Sequence, residues 1–192
     1  MAQQMPRRDL TGGPENLALL RALANPVRRR ILDHLSAHGS VNSASLAKAL
    51  GESTGTTSYH LRQLAQAGLI EEMTERSNGR ERWWRATPQD IRMPSPAQMS
   101  QEVREVAEQL NRLHMADDIQ LYLRAMTEYA GSEGWTRASR GGSYMTREEL
   151  DAFFEDYIAL LTRHGHIADD APPDAQLIAL RFFAAPAPPG SP

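Results

Sequence analysis

From Val41 to Ile70 the chain reads V-N-S-A-S-L-A-K-A-L-G-E-S-T-G-T-T-S-Y-H-L-R-Q-L-A-Q-A-G-L-I. The pattern predicts two short helices joined by a tight turn. Ser43 is the expected N-cap of the first. Leu46, Ala47 and Leu50 give it an apolar face, and Gly51 ends it where a left-handed backbone costs least. Ser53 or Thr54 caps the second helix, which closes at Gly68. Within it Leu61, Leu64 and Ala65 recur at helical spacing and are expected to face inward.

At roughly 100° per residue, Thr56, Tyr59 and Gln63 lie opposite Leu61, flanked by Gly55, Arg62 and Gln66. This face is polar and holds no acidic residue. Short hydroxyls and amides that can reach base edges, with no carboxylate turned toward phosphate, suit a helix entering a DNA major groove. An ordinary surface helix of a soluble helical protein would also show polar residues outward.

The flanking sequence separates these readings. After the second helix come L-I-E-E-M-T-E-R, S-N-G-R-E and R-W-W-R-A. Asn78-Gly79 is a strong hairpin signal, so two strands are expected to form a β-wing. It carries Arg76, Arg80, Arg82 and Arg85, suited to follow a phosphate backbone unless they pair with Glu75 and Glu81. Taken with L-A-N-P-V-R-R-R-I-L-D-H-L (Leu23 to Leu35), this segment resembles ArsR-type winged-helix transcriptional regulators over roughly residues 15 to 87. The remainder more loosely resembles larger actinobacterial members with an appended C-terminal domain.

The resemblance implies a mainly α fold with a small β-wing. In it, an N-terminal winged helix-turn-helix is followed by a long dimerisation helix and a helical domain with one terminal strand. It also implies a homodimeric, cytoplasmic regulator of the repressor type acting on double-stranded palindromic DNA. The candidate DNA-binding residues are Ser53, Thr54, Thr56, Thr57, Ser58, Tyr59, Arg62, Gln63, Arg76, Arg80, Arg82 and Arg28. A small-molecule effector is a possible further partner.

The chain divides on charge. Residues 1–96 hold 13 Lys/Arg against 9 Asp/Glu, and residues 97–192 hold 8 against 15, so only the first half suits a polyanion. Cysteine is absent, which excludes disulfides and thiolate metal sites and fits a cytoplasmic protein. No apolar run approaches membrane-spanning length and no signal-peptide pattern opens the chain, so no membrane partner is expected.

In order, residues 1–13 read as a flexible arm, 14–87 as the DNA-binding domain and 88–96 as a proline-bearing linker. Residues 97–185 read as a dimerisation and effector domain, and 186–192 as a tail. Leu17, Leu20 and Leu23 line a first short helix. Asn25 caps the next, with Pro26 at its first position and Val27, Ile31, Leu32 and Leu35 buried. Arg28, Arg29 and Arg30 oppose the macrodipole near its start; a phosphate contact or simple solvation would explain them. Gly39-Ser40-Val41 is expected to add a very short strand to the wing sheet.

Ala97 to about Ala130 is expected to be one long helix. Met99, Val103, Val106, Leu110 and Leu113 form a narrow seam suited to a partner helix. Thr146 and Glu149 make a capping box for a helix to about His164. Its expected buried stripe is Leu150, Phe153, Phe154, Tyr157, Ile158 and Leu161. Gln176 to Ala184 reads as a strand needing a partner. Tyr122, Tyr129, Trp135, Phe153, Phe154 and Tyr157 either pack together or line a ligand cavity.

No phosphate loop, nucleophile elbow or H-E-x-x-H is present, so neither an enzyme nor a cofactor is expected. The histidine pair His34/His38 and the set His114, Asp117 and Asp118 have spacings a metal could use. ArsR-type metal sensors place more histidines on the dimer helix, and no metal site is expected. Two alternatives remain open: a winged-helix protein-interaction module, and a metal-responsive sensor using His114 and Asp117.

Overall fold

The computed structural model describes residues 5–78, 81–128 and 134–187. Among these residues, six α-helices and five short strands follow one another as β1 Arg7–Asp9, α1 Leu17–Leu23, α2 Pro26–His38, β2 Val41–Asn42, α3 Ser43–Leu50, α4 Thr54–Gln66, β3 Ile70–Glu72, β4 Trp83–Ala86, β5 Asp90–Arg92, α5 Gln101–Glu128 and α6 Arg147–His164. Helices α1 to α4 and the antiparallel sheet β2-β4-β3 form a winged helix-turn-helix.

Local chemistry sets the helix boundaries. Asn25 accepts from the Arg28 N–H at 3.1 Å, Pro26 opens α2, and Ser53 accepts from the Thr56 N–H at 3.0 Å. Gly51 (φ 68°) and Gly68 (φ 71°) take the left-handed conformations that end α3 and α4. The cap of α3 is Asn42, whose side chain accepts from Ser45 N–H at 2.7 Å, and not Ser43. Ser43 Oγ instead accepts from the indole N–H of Trp84 at 3.0 Å.

One core holds this unit together. Leu19, Leu20, Ile31, Leu35, Leu46, Leu61 and Leu64 are buried, and Trp84 closes the cluster from the wing. Each such leucine contributes roughly 1.5–3 kcal/mol relative to an exposed position. Val27 and Leu32, expected in the core, are only partly buried.

Two segments expected to be irregular are built into the fold. Within the expected arm, β1 pairs in parallel with β5, and Leu10 is buried in the core. Strand β5 itself lies within the expected 88–96 linker. The pairing has a use for α4. Arg8 donates to the Ala67 carbonyl at 2.9 Å, and the Gln89 amide donates to the Gly68 carbonyl, fixing the C-terminal end of that helix.

The seam of α5 is not free. Val103 (0% exposed), Ala107 and Leu110 (4%) pack against α1 of the same chain, with Met99 and Val106 partly buried beside them. These positions therefore belong to the N-terminal core. A sequence seam specifies a partner helix without saying whose helix it is. Further along, Met115, Ile119, Tyr122, Leu123 and Met126 are exposed. They fall within an arc of about 100°, turned by roughly 140° from the buried stripe.

After Leu110 no described residue is buried. Helix α6 has the expected capping box, with Thr146 accepting from Glu149 N–H and Glu149 accepting from Thr146 N–H. Its apolar stripe is on the expected side but only partly covered, and Phe153 is 48% exposed. Phe153, Phe154 and Tyr157 close on Phe182, with ring centroids 5.0–5.8 Å from it, so these aromatics pack together. Tyr129 lies outside the described residues. The expected strand Gln176 to Ala184 pairs with no strand among the described residues and joins neither sheet.

Polar contacts tie this half to the first, two of them centred on Arg92 and Asp169. The Arg92 guanidinium pairs with Asp90 and Glu155 and lies over the Phe154 ring at 5.1 Å. Asp169 accepts from Ser40 N–H at 2.8 Å and Ser40 Oγ–H at 3.1 Å.

Candidate nucleic-acid interface

Helix α4 packs against α2 and α3 through Leu61 and Leu64, which turns its opposite side outward. Tyr59 is 52% exposed on that side. Arg62 and Gln66 are exposed, and Thr56, Ser58 and Gln63 are half-exposed. Ser53 Oγ and Thr56 Oγ1 lie 2.9 Å apart, the Gln63 amide donates to Gln66 Oε1, and Arg62 Nε donates to the Ser58 carbonyl. These contacts hold the side chains along the helix surface until a better partner arrives. Thr54 is exposed in the first turn.

Between α4 and the wing lies a cleft of about 200 Å³, lined by Ser43, Ser58, Arg62, Arg82 and Trp84. It brings a recognition-helix arginine and a wing arginine to one opening. Arg82 is 62% exposed and reaches Glu72 only at 3.7 Å, so its ion pair is loose and readily exchanged. The hydrogen bond from Trp84 to Ser43 sets the floor of this cleft, fixing the wing to the start of α3.

Some expected contacts fall elsewhere. Thr57 is fully buried and its hydroxyl has no hydrogen-bond partner, so it faces the core and cannot touch DNA from there. The outward arc at Thr56 and Tyr59 ends before it. Arg28 is turned inward: its guanidinium donates to the Ala22 carbonyl at 3.0 Å and to the Arg21 carbonyl, and burial holds its pKa below the usual arginine range. It caps α1, where a cation is favourable. Its neighbours are also engaged. Arg29 pairs with Asp117, and Arg30 meets the Leu50 carbonyl at the end of α3 and Glu52 at 3.3 Å. This explains three arginines at the start of a helix without invoking phosphate.

In the wing, Asn78 and Glu81 close the hairpin with reciprocal backbone hydrogen bonds of 3.0 and 2.6 Å. Arg80 and the Gly79 turn position lie outside the described residues. Arg76 folds over Trp83 at 5.4 Å and donates to Ser40 Oγ at 2.7 Å. Arg85 pairs with Glu71 at 2.7 Å, a cross-strand neighbour, and not with Glu75 or Glu81. Sequence reasoning missed Ser43 and Trp84 as organisers of the cleft, because their contact joins residues 41 positions apart.

Among the described residues no three His, Asp or Glu side chains are placed to share an ion. His34 and His38 stack with centroids 4.2 Å apart, and Asp117 is committed to Arg29.

Residues 23–72 match the family model described as a helix-turn-helix domain. No curated protein matches the chain. Among solved structures it is similar to a possible transcriptional regulatory protein (fragment 1–100) from Mycobacterium bovis, at 26% identity over 54% of this chain and 92% of that one, with a TM-score of 0.36. It is similar to HlyU from Vibrio cholerae at 26% identity over 53% and 92%, with a TM-score of 0.34. The solution structure of the homodimeric winged helix-turn-helix DNA-binding domain of Mb0332 from Mycobacterium bovis, a possible ArsR-family regulator, matches at 26% identity over 56% and 82%, with a TM-score of 0.36. These TM-scores are too low for overall likeness to carry weight; the match over residues 23–72 identifies the helix-turn-helix.

Proposed function

We infer from this helix-turn-helix, which resembles those of ArsR-type winged-helix regulators, that the chain is a sequence-specific DNA-binding transcriptional regulator acting as a repressor in the cytoplasm. The observation that carries this reading is the outward side of α4, free of carboxylates and continuous with the cleft shared by Ser58, Arg62 and Arg82. Thr56, Tyr59 and Gln63 are assigned to base edges. Arg62 and Arg82 are assigned to phosphate, with Arg76, once released from Ser40 and Trp83, and Arg80 following the backbone. Ser53, Thr54 and Ser58 frame the helix start.

The reading includes a homodimer on a palindromic operator. Two copies would present their α4 helices to successive major grooves roughly 34 Å apart. The exposed stripe from Met115 to Met126 supports pairing of copies, because an apolar arc of that width on a long helix is ordinarily covered. Val103 and Leu110 of the earlier seam are already packed in this chain's own core, so the reading rests on the exposed stripe.

Selection from random double-stranded DNA with the full chain tests the reading. Enrichment of a palindrome bound at two copies per site supports it. Binding with no sequence preference, or none at all, favours a protein-interaction module instead.

A further inference from the structure

A second cavity, of about 380 Å³, opens where the end of α1, the middle of α2, the second half of α5 and the C-terminal extended segment meet. Two ion pairs form its walls: Arg29 with Asp117, and Arg181 with Asp118. Each guanidinium in the cavity is therefore already matched to a carboxylate. Asp33, one turn beyond Arg29 on α2, lines the same space; the residue is solvent-exposed and its carboxylate has no ion-pair or hydrogen-bond partner among the described residues. Leu23 and Leu32 supply an apolar wall. Burial and the nearby Arg29 and Arg181 hold His114 below the usual imidazole range, against the opposing pull of Asp118.

The lining holds two guanidinium groups and three carboxylates, one carboxylate more than the arginines can pair. An anion entering it must break an ion pair, whereas a cation finds Asp33 free. Asp117 and Asp118 are each held by an arginine, and no three ligating side chains converge, which leaves an organic rather than a metallic cation. The volume lies within the range of small-molecule sites.

We propose that this cavity binds a small organic cation, a primary amine on an apolar body, with its ammonium on Asp33 and its body against Leu23 and Leu32. This occupant deepens the effector part of the regulator reading, because the cavity joins α2, which packs on α4, to the C-terminal half. Binding itself does not depend on DNA, so failure of the titration below leaves the operator selection untouched.

Phenethylammonium and phenylacetate have the same ring and chain length and opposite charge. Each is titrated into the full chain and followed through the leucine methyl and histidine ring resonances. Phenethylammonium should saturate shifts at Leu23, Leu32 and His114 with a Kd on the order of millimolar, the range open to a fragment of that size. Phenylacetate should not. Asp33→Asn should weaken binding about tenfold, and Asp156→Asn on α6 should leave it unchanged. Equal shifts from both compounds, preference for phenylacetate, absence of saturation, or an Asp33→Asn chain that binds like wild type would overturn the assignment. Should Asp33→Asn fail to fold, the paired titrations on the wild-type chain decide alone.

Discussion

The indole N–H of Trp84 donates to Ser43 Oγ at 3.0 Å, joining the wing strand to the first residue of the helix before the recognition helix. Trp84→Phe keeps an aromatic ring near the core but removes the donor and part of the buried ring system. The expected cost is ~1–3 kcal/mol in urea unfolding, the hydrogen bond plus the space left behind, and Ser43→Ala should add little when combined with it. Because the pair fixes the cleft between α4 and the wing, Trp84→Phe should also weaken operator binding.

Base contacts and phosphate contacts separate by salt dependence. Gln63→Ala should cost roughly 1–3 kcal/mol at one operator position and little on unrelated DNA. Arg82→Ala should weaken every sequence alike and flatten the slope of log K against log salt by about one. Fluorescence anisotropy titrations at several salt concentrations measure both.

Thr57 sits among the candidate contacts in sequence but inside the core in space. Thr57→Val replaces an unpartnered buried hydroxyl with a methyl of similar shape. Stability should be unchanged or higher, and operator affinity should match wild type. A loss of affinity without loss of stability would place the side chain at the interface.

The two apolar stripes of α5 should respond differently to truncation. Leu110→Ala opens the core against α1 and should cost roughly 2–5 kcal/mol. Ile119→Asp touches no core residue and should leave folding intact while preventing pairing of copies, read by sedimentation equilibrium.

Acid should destabilise the fold through histidine. His60 is held below its usual pKa by burial and then by Arg28, against the opposing Glu52, and His34 by burial and then by His38. The unfolded chain therefore binds more protons than the folded one as pH falls through ~6.5. The stability these groups contribute is complete above that pH and is lost progressively below it, toward their lowered folded values. His60→Gln should flatten that part of the curve of unfolding free energy against pH.

Where structure follows from neighbours in the chain, the sequence was readable: Asn25 and Pro26, Ser53, Gly51, Gly68 and the Thr146–Glu149 box all lie where local spacing puts them. The cap of α3 was misplaced by one residue because Asn42 and Ser43 are both good caps. Only the tertiary bond from Trp84 assigns Ser43 its other task. The β1–β5 pair was illegible because three-residue strands carry no periodicity. The α5 seam was visible as a stripe, but its occupant, α1, was not. Thr57 was misjudged because a threonine at a boundary angle looks alike on either side of it.

The ending of burial at Leu110 has a dynamic consequence for the lone chain. Amide protons in α4 are shielded until the whole N-terminal unit opens, while those of α6 exchange through local opening with little apolar area to lose. Deuterium uptake should therefore rise along the chain from α5 onward. Whatever covers the C-terminal half would announce itself as a slowing of that uptake, without any change in the protection of α4.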